Sequence, residues 1–215
     1  MRSRDGITRI KCCGMMTPED IAAVNDARPD YCGFIVDYPR SHRSLAPAQA
    51  AALIRELDPD IPAVAVFVDE PVAQAARIAE RIGAAAIQLH GHEDAGYIAD
   101  LRRQSTLRIW QAITIGDEDD LARAATSSAD MLLLDNGAGT GKRFDWTLAR
   151  RFEQAYRRPF LLAGGLTPEN IPAAIDAVHP FGIDISSGIE TDRRKDPFKI
   201  RAAVRAAHGS VHPGG

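Results

Sequence analysis

No apolar run in this chain approaches the roughly 18 residues that a membrane-spanning helix needs. The N-terminal stretch MRSRDGITRIK lacks the apolar centre of a signal peptide, so a cytoplasmic protein is expected. An excess of charge of one sign is also missing. With 26 basic and 29 acidic side chains the formal net charge is −3, which gives no electrostatic grip on nucleic acid or an anionic membrane. Cysteine is scarce, and Cys12, Cys13 and Cys32 cannot all pair within one chain. In a reducing compartment they are thiols. No GxGxxG follows the first apolar run, which counts against an open doubly wound sheet for dinucleotides. The glycine-rich NGAGTGKRFDW (136–146) lacks the Gly-Lys-Ser/Thr ending of a P-loop. It is read instead as a lid over a substrate.

What is present is alternation. Apolar runs of strand length occur at 6–12, 31–36, 63–68, 85–90, 107–113, 129–135, 159–164 and 181–186. Helical patterns lie between them, such as 18–27, 47–57, 71–83 and 168–178. Eight strand–helix units in 215 residues, 45 % of them hydrophobic, predict one α/β domain, a closed parallel (β/α)8 TIM barrel over 1–208. The remainder, 209–215, reads as a disordered tail. One internal similarity fits this plan: CGMMTPEDIAAV (13–24) and AGGLTPENIPAA (163–174) share a glycine, Thr-Pro-Glu and an isoleucine. Both predict a strand end followed by a helix capped by threonine, Thr17 or Thr167, with proline at the first helical position.

Barrel enzymes carry their chemistry at the C-terminal ends of strands. Those positions hold Cys13, Asp37, Asp69, Gln88, His90, Asp135, Gly164, Gly165, Ser186, Ser187 and Gly188. Strand alternation puts Lys11 and Cys13 on one face and Cys12 on the other. With the first pair inside the barrel, the Lys11 ammonium is expected to favour a Cys13 thiolate, and Cys12 packs under a helix. Asp135 closes the run MLLLD, where a carboxylate needs a task or a partner. LAGG (162–165) and DISSGIE (184–190) place glycines and serines at two neighbouring strand ends, the usual phosphate site of such barrels. In YPRSHRS (38–44) an arginine is a candidate carboxylate ligand. His90-x-His92 has strand spacing for a metal, but no matching carboxylate pattern accompanies it, and no metal or other cofactor is expected.

Taken together, KCCGMMTPED (11–20), GFIVDYPRSHRSL (33–45), VAVFVDEP (64–71), AIQLHGHED (86–94), LLLDNGAGTGKRFDW (132–146), LLAGGLTPENI (161–171) and GIDISSGIETDRRKDPFKI (182–200) resemble, in order, the phosphoribosylanthranilate isomerases of tryptophan biosynthesis. The resemblance implies an eight-fold barrel that performs an Amadori rearrangement of phosphoribosylanthranilate without metal or nucleotide. By motif it implies Cys13 as general base and Asp135 as general acid. It also implies Gly164, Gly165, Ser186, Ser187 and Gly188 around the phosphate, and Asp184 near a sugar hydroxyl. It further implies Arg43 at the anthranilate carboxylate, Lys11 as a substrate-binding residue beside the base, and Gln88 and His90 lining the floor. A small-molecule substrate and a monomer or homodimer follow from the same likeness. Met16, Asp37, His92 and a shortened ETDRRKDP depart from the family's pattern, and Asp37 and His92 bear on the shape of the anthranilate pocket. The alternatives are a histidine-pathway sugar-phosphate isomerase, which resembles a two-aspartate barrel, and a silent barrel that only binds a phosphate ligand.

Overall fold

The computed structural model describes residues 6–135 and 146–209. Eight strands form the barrel: β1 (Arg9–Cys13), β2 (Tyr31–Val36), β3 (Ala63–Phe67), β4 (Ala86–Leu89), β5 (Arg108–Thr114), β6 (Met131–Asp135), β7 (Phe160–Ala163) and β8 (Gly182–Ile185). Each pairs in parallel with its sequence neighbours, and β8 returns to β1 through Arg9↔Gly182 and Lys11↔Asp184, which closes the sheet. The helices are α1 (Pro18–Ala27), α2 (Pro47–Glu56), α3 (Val72–Ile82), α4 (Ala95–Gln104), α5 (Glu118–Thr126), α6 (Thr147–Tyr156), α7 (Ile171–Val178) and α8 (Pro197–Gly209). The expected barrel is therefore found. Gly209, expected in the tail, belongs to α8. The rest of that tail lies outside the described residues, as do residues 136–145 of the expected lid.

Local chemistry explains where these elements begin. Thr17 caps α1: its Oγ1 accepts from Asp20 N (3.2 Å), and the Asp20 carboxylate accepts from Thr17 N (3.1 Å) and Met16 N (2.7 Å). Pro18 then fills the first helical position, where a missing N–H is harmless. The matching expectation for Thr167 is corrected. The Asn170 side chain accepts from Thr167 N (2.8 Å) and donates to the Gly165 carbonyl (3.0 Å), closing a turn of its own. Helix α7 consequently starts at Ile171, with Asn170 rather than Thr167 at its boundary. Asp94 and Asp117 cap α4 and α5, and Gly83 at φ 80° ends α3.

Burial divides the side chains in two. Outward strand residues such as Ile10, Cys12, Phe34, Phe67, Leu132 and Ile183 pack under the helices. Inside the lower barrel, Val64, Ala86, Trp110, Met131, Leu133 and Leu161 form a separate cluster, with Tyr31 against Trp110 edge to face. Above that plug the interior becomes polar. Lys11, with no exposed surface, occupies it, because β2 offers Gly33 at the facing position. A Cβ there would sit 2.8 Å from Lys11 Nζ and 2.7 Å from Cys13 Sγ. The glycine makes the room that a buried ammonium and a thiol share.

Candidate active site

At the C-terminal mouth lies a cavity of about 300 Å³, within the range of small-molecule sites. Cys13, Arg43, Gln88, His90, Asp135, Gly164, Gly165, Asp184, Ser186 and Ser187 all line it, ten of the positions singled out in the sequence. Lys11 and Gly188 stand behind its wall. Lys11 Nζ donates to Asp184 Oδ1 at 2.8 Å and sits beside the Cys13 thiol. Gly188 packs against the Leu166 carbonyl so closely that no Cβ fits.

The electrostatics of this floor are set by depth. Burial opposes charge on Lys11, but Asp184 and Cys13 outweigh it and raise its pKa, so it is a fixed cation. For Cys13 burial is the largest influence and lifts the thiol; Lys11 pulls down, Asp184 pushes up, and the net direction is upward. The Lys11 ammonium thus acts in the expected direction, toward the thiolate, but burial outweighs it. Cys12, fully buried on the opposite face, is pushed up to about 12.

Around the barrel, β7 and β8 lie on the short arc between Asp135 on β6 and Cys13 on β1. On that arc Gly164 and Gly165 take φ of 88° and 61°, conformations open mainly to glycine. Ser187 opens a single 3-10 turn, Ser187–Ile189, and the first N–H groups of such a turn lack partners within it. Ser186 Oγ donates to the Cys13 carbonyl at 3.1 Å. The long arc carries Arg43 after β2 and Gln88 and His90 at β4. Gln88 is wholly buried; its Nε2 lies 3.2 Å from His90 Nδ1 and its Oε1 has no hydrogen-bond partner among the described residues. His90 Nε2 in turn lies 4.0 Å from Asp135 Oδ2.

Other strand-end candidates turn away. Asp37 and Asp69 adopt φ of 51° and 54° and are exposed; each makes the turn leaving its strand, a conformation that aspartate tolerates. Asp69 accepts from His92 N (2.6 Å) and pairs with its ring (3.0 Å). Neither Asp37 nor His92 lines the cavity, and His90 and His92 face different partners. Among the described residues no group of three His, Cys, Asp or Glu is placed to hold a metal.

Two residues escaped the sequence reading. Glu190 and Lys195 face each other across a small antiparallel hairpin, Glu190–Thr191 with Arg194–Lys195. Glu190 accepts from Arg43 Nε (2.6 Å) and Nη2 (2.7 Å) and pairs with Lys195 Nζ (2.8 Å). Burial acts to raise the Glu190 pKa, yet the hydrogen bonds from Arg43 and Lys195 prevail and hold it at about 2. Two-residue strands show no periodicity, and the turn has Asp192 and Arg193 at positive φ where Asn-Gly is the recognisable signal.

Among the described residues no helix is long and apolar enough to cross a membrane. Residues 10–206 match the family model described as N-(5'phosphoribosyl)anthranilate (PRA) isomerase. The N-(5'-phosphoribosyl)anthranilate isomerase of Thermoanaerobacter sp. (strain X514) is 36 % identical over 208 residues, covering 94 % of this chain and 99 % of that one. A crystal structure of phosphoribosyl anthranilate isomerase in complex with reduced 1-(o-carboxyphenylamino)-1-deoxyribulose 5-phosphate superposes with a TM-score of 0.84 at 33 % identity, over 94 % of this chain and 100 % of that chain. Monomers generated from the dimeric enzyme of Thermotoga maritima give the same score at 34 % identity and the same coverage. Placed beside the closed barrel and the lined cavity at its mouth, these likenesses show that the chain belongs to the N-(5'-phosphoribosyl)anthranilate isomerase family.

Proposed function

We propose that this protein isomerises N-(5-phosphoribosyl)anthranilate to 1-(2-carboxyphenylamino)-1-deoxyribulose 5-phosphate, the Amadori step of tryptophan biosynthesis, with Asp135 as acid and Cys13 as base. The observation that carries the reading is that one cavity is lined by both groups, with glycines and serines on one arc between them and Arg43 on the other. Asp135 protonates the ring oxygen, and the furanose opens to a Schiff base. The Cys13 thiolate removes the proton from the second sugar carbon. The enolamine then gains a proton at the first carbon as its hydroxyl becomes the ketone. Atoms and electrons balance without a cofactor.

Positioning is the second half of catalysis. Backbone N–H groups around Gly164, Gly165, Ser186, Ser187 and Gly188 take the phosphate, and Arg43 takes the anthranilate carboxylate. Asp184, tied to Lys11, accepts from a sugar hydroxyl, and Gln88 Oε1, without a partner among the described residues, accepts from the substrate on the floor beside His90. The protein works as a monomer or homodimer in the cytoplasm. The test is loss of substrate fluorescence with purified protein. Binding of a reduced product analogue without turnover would reduce the site to a binding barrel. Sulfate or phosphate soaked into crystals should settle at the β7 and β8 ends, and an anion bound elsewhere with this turn empty refutes that assignment.

A further inference from the structure

We propose that Glu190 is a positioning residue that sets affinity for the carboxylate end of the substrate by fixing the guanidinium of Arg43. The proposal rests on the reading of Arg43 given above. Glu190 does not line the cavity and its side chain is 7 % exposed, so it acts only through what it holds. Its two oxygens take Nε and Nη2 of Arg43 at 2.6 and 2.7 Å. That bidentate grip uses one edge of a planar fork and leaves the remaining N–H groups for a ligand. An arginine on a loop otherwise loses considerable rotamer freedom when it binds, and a guanidinium already fixed avoids that loss.

Glu190 is itself immobilised. The hairpin sets Lys195 opposite it, and Lys195 Nζ also donates to the Ser186 carbonyl at 2.9 Å. Lys199 Nζ donates to the Glu190 carbonyl at 2.7 Å. Two cations, Arg43 and Lys195, around one carboxylate leave a single positive charge, which matches one arylcarboxylate. Without Glu190 the two cations would repel across the same space, and Arg43 would swing from its place.

The experiment compares Glu190→Ala, Glu190→Gln, Arg43→Ala and the double variant Arg43→Ala/Glu190→Ala in steady-state turnover of phosphoribosylanthranilate, with inorganic phosphate as competitive probe of the phosphate end. Glu190→Ala should raise KM about tenfold or more while kcat stays within about threefold, the pattern of lost binding. Phosphate inhibition should stay within about twofold. Glu190→Gln, which keeps shape and one acceptor, should recover most of the loss, and the double variant should be no worse than Arg43→Ala alone. Where the orphaned Lys195 prevents folding, Glu190→Ala/Lys195→Met takes the place of the single variant. An unchanged KM, additive losses in the double variant, or parallel falls in kcat, phosphate affinity and Tm overturn the proposal. If Arg43→Ala leaves KM unchanged, or wild type fails to turn the substrate over, the reading of the site falls and the proposal with it. A loss in Arg43→Ala without one in Glu190→Ala sinks the proposal alone.

Discussion

Replacing Lys11 by methionine keeps an unbranched chain of similar length and removes one buried charge. Lys11 has no exposed side-chain surface and its ammonium lies 2.8 Å from Asp184, which is 9 % exposed. Leaving one member of such a pair costs about 3–5 kcal/mol, and the contact of Asp184 with the cavity places this site near about 3 kcal/mol. At about 2–4 °C per kcal/mol for a chain of this size, Tm should fall by about 6–12 °C. The same change strips Cys13 of its cation. With the ammonium that pulls it down gone, burial and the Asp184 carboxylate are left to hold the Cys13 thiol still higher. The thiol, already raised by burial, should then react with iodoacetamide markedly more slowly at pH 8. Adding Asp184→Asn removes the stranded carboxylate and should restore much of both quantities. Differential scanning calorimetry and the pH dependence of alkylation at residue 13 measure the two effects. An unchanged alkylation profile in Lys11→Met would refute the view that this ammonium governs the thiol.

Cys13→Ser should lower turnover by about 10²–10⁴, the worth of a placed base, and Asp135→Asn should do as much; Cys12→Ser should stay within several-fold, and a dead Cys12 variant beside an active Cys13 variant would reverse the strand assignment. Because burial lifts the Cys13 thiol, its alkylation rate in wild type should keep climbing with pH up to and beyond 9, whereas a plateau near neutrality would mean a stabilised thiolate. Arg43→Ala should weaken substrate binding by about 2–5 kcal/mol, while exposed Arg40, outside the cavity, should matter far less; equal effects would mean that Arg43 is not the ligand. The Asp30 carboxylate, half-buried yet held low by His208, Ile10 N and Arg9, stabilises the fold above its unfolded pKa of about 3.9 and loses that contribution as pH falls through its lower folded value. Asp30→Asn should flatten the acid limb of a Tm-against-pH curve, and an unaltered limb would assign acid unfolding to other groups.

The eight strands were legible because each is a short apolar run between turn residues, and burial on both faces writes that pattern directly. YCGFIV and PEDIAAVNDA coincide with β2 and α1 to the residue. The alternation that separates Cys12 from Cys13 was legible for the same reason. Strand-end aspartates were not separable, since Asp37 and Asp69 serve backbone turns while Asp135 faces the cavity, and a lone sequence shows the residue type but not its φ. Thr167 misled because Asn170, three residues on, offers a competing side-chain acceptor. The Glu190–Lys195 hairpin was invisible, being too short for any period, yet it holds the arginine that the sequence did reveal.

The seam where β8 meets β1 joins residues from the two ends of the chain. Lys11 and Asp184 are separated by 173 positions, as are Ser186 and Cys13. Bringing such distant segments together costs about 4–5 kcal/mol of loop-closure entropy if nothing between them is ordered, so these contacts form late, after the intervening strands have shortened the effective loop. The thiol therefore acquires its ammonium, and the ammonium its carboxylate, only when the last strand zips onto the first. Refolding followed by helix content and by turnover should show two clocks, with activity lagging behind secondary structure. A nascent chain that stops before β8 would hold every helix-capping and strand signal upstream and still lack the pairing of Lys11 with Asp184.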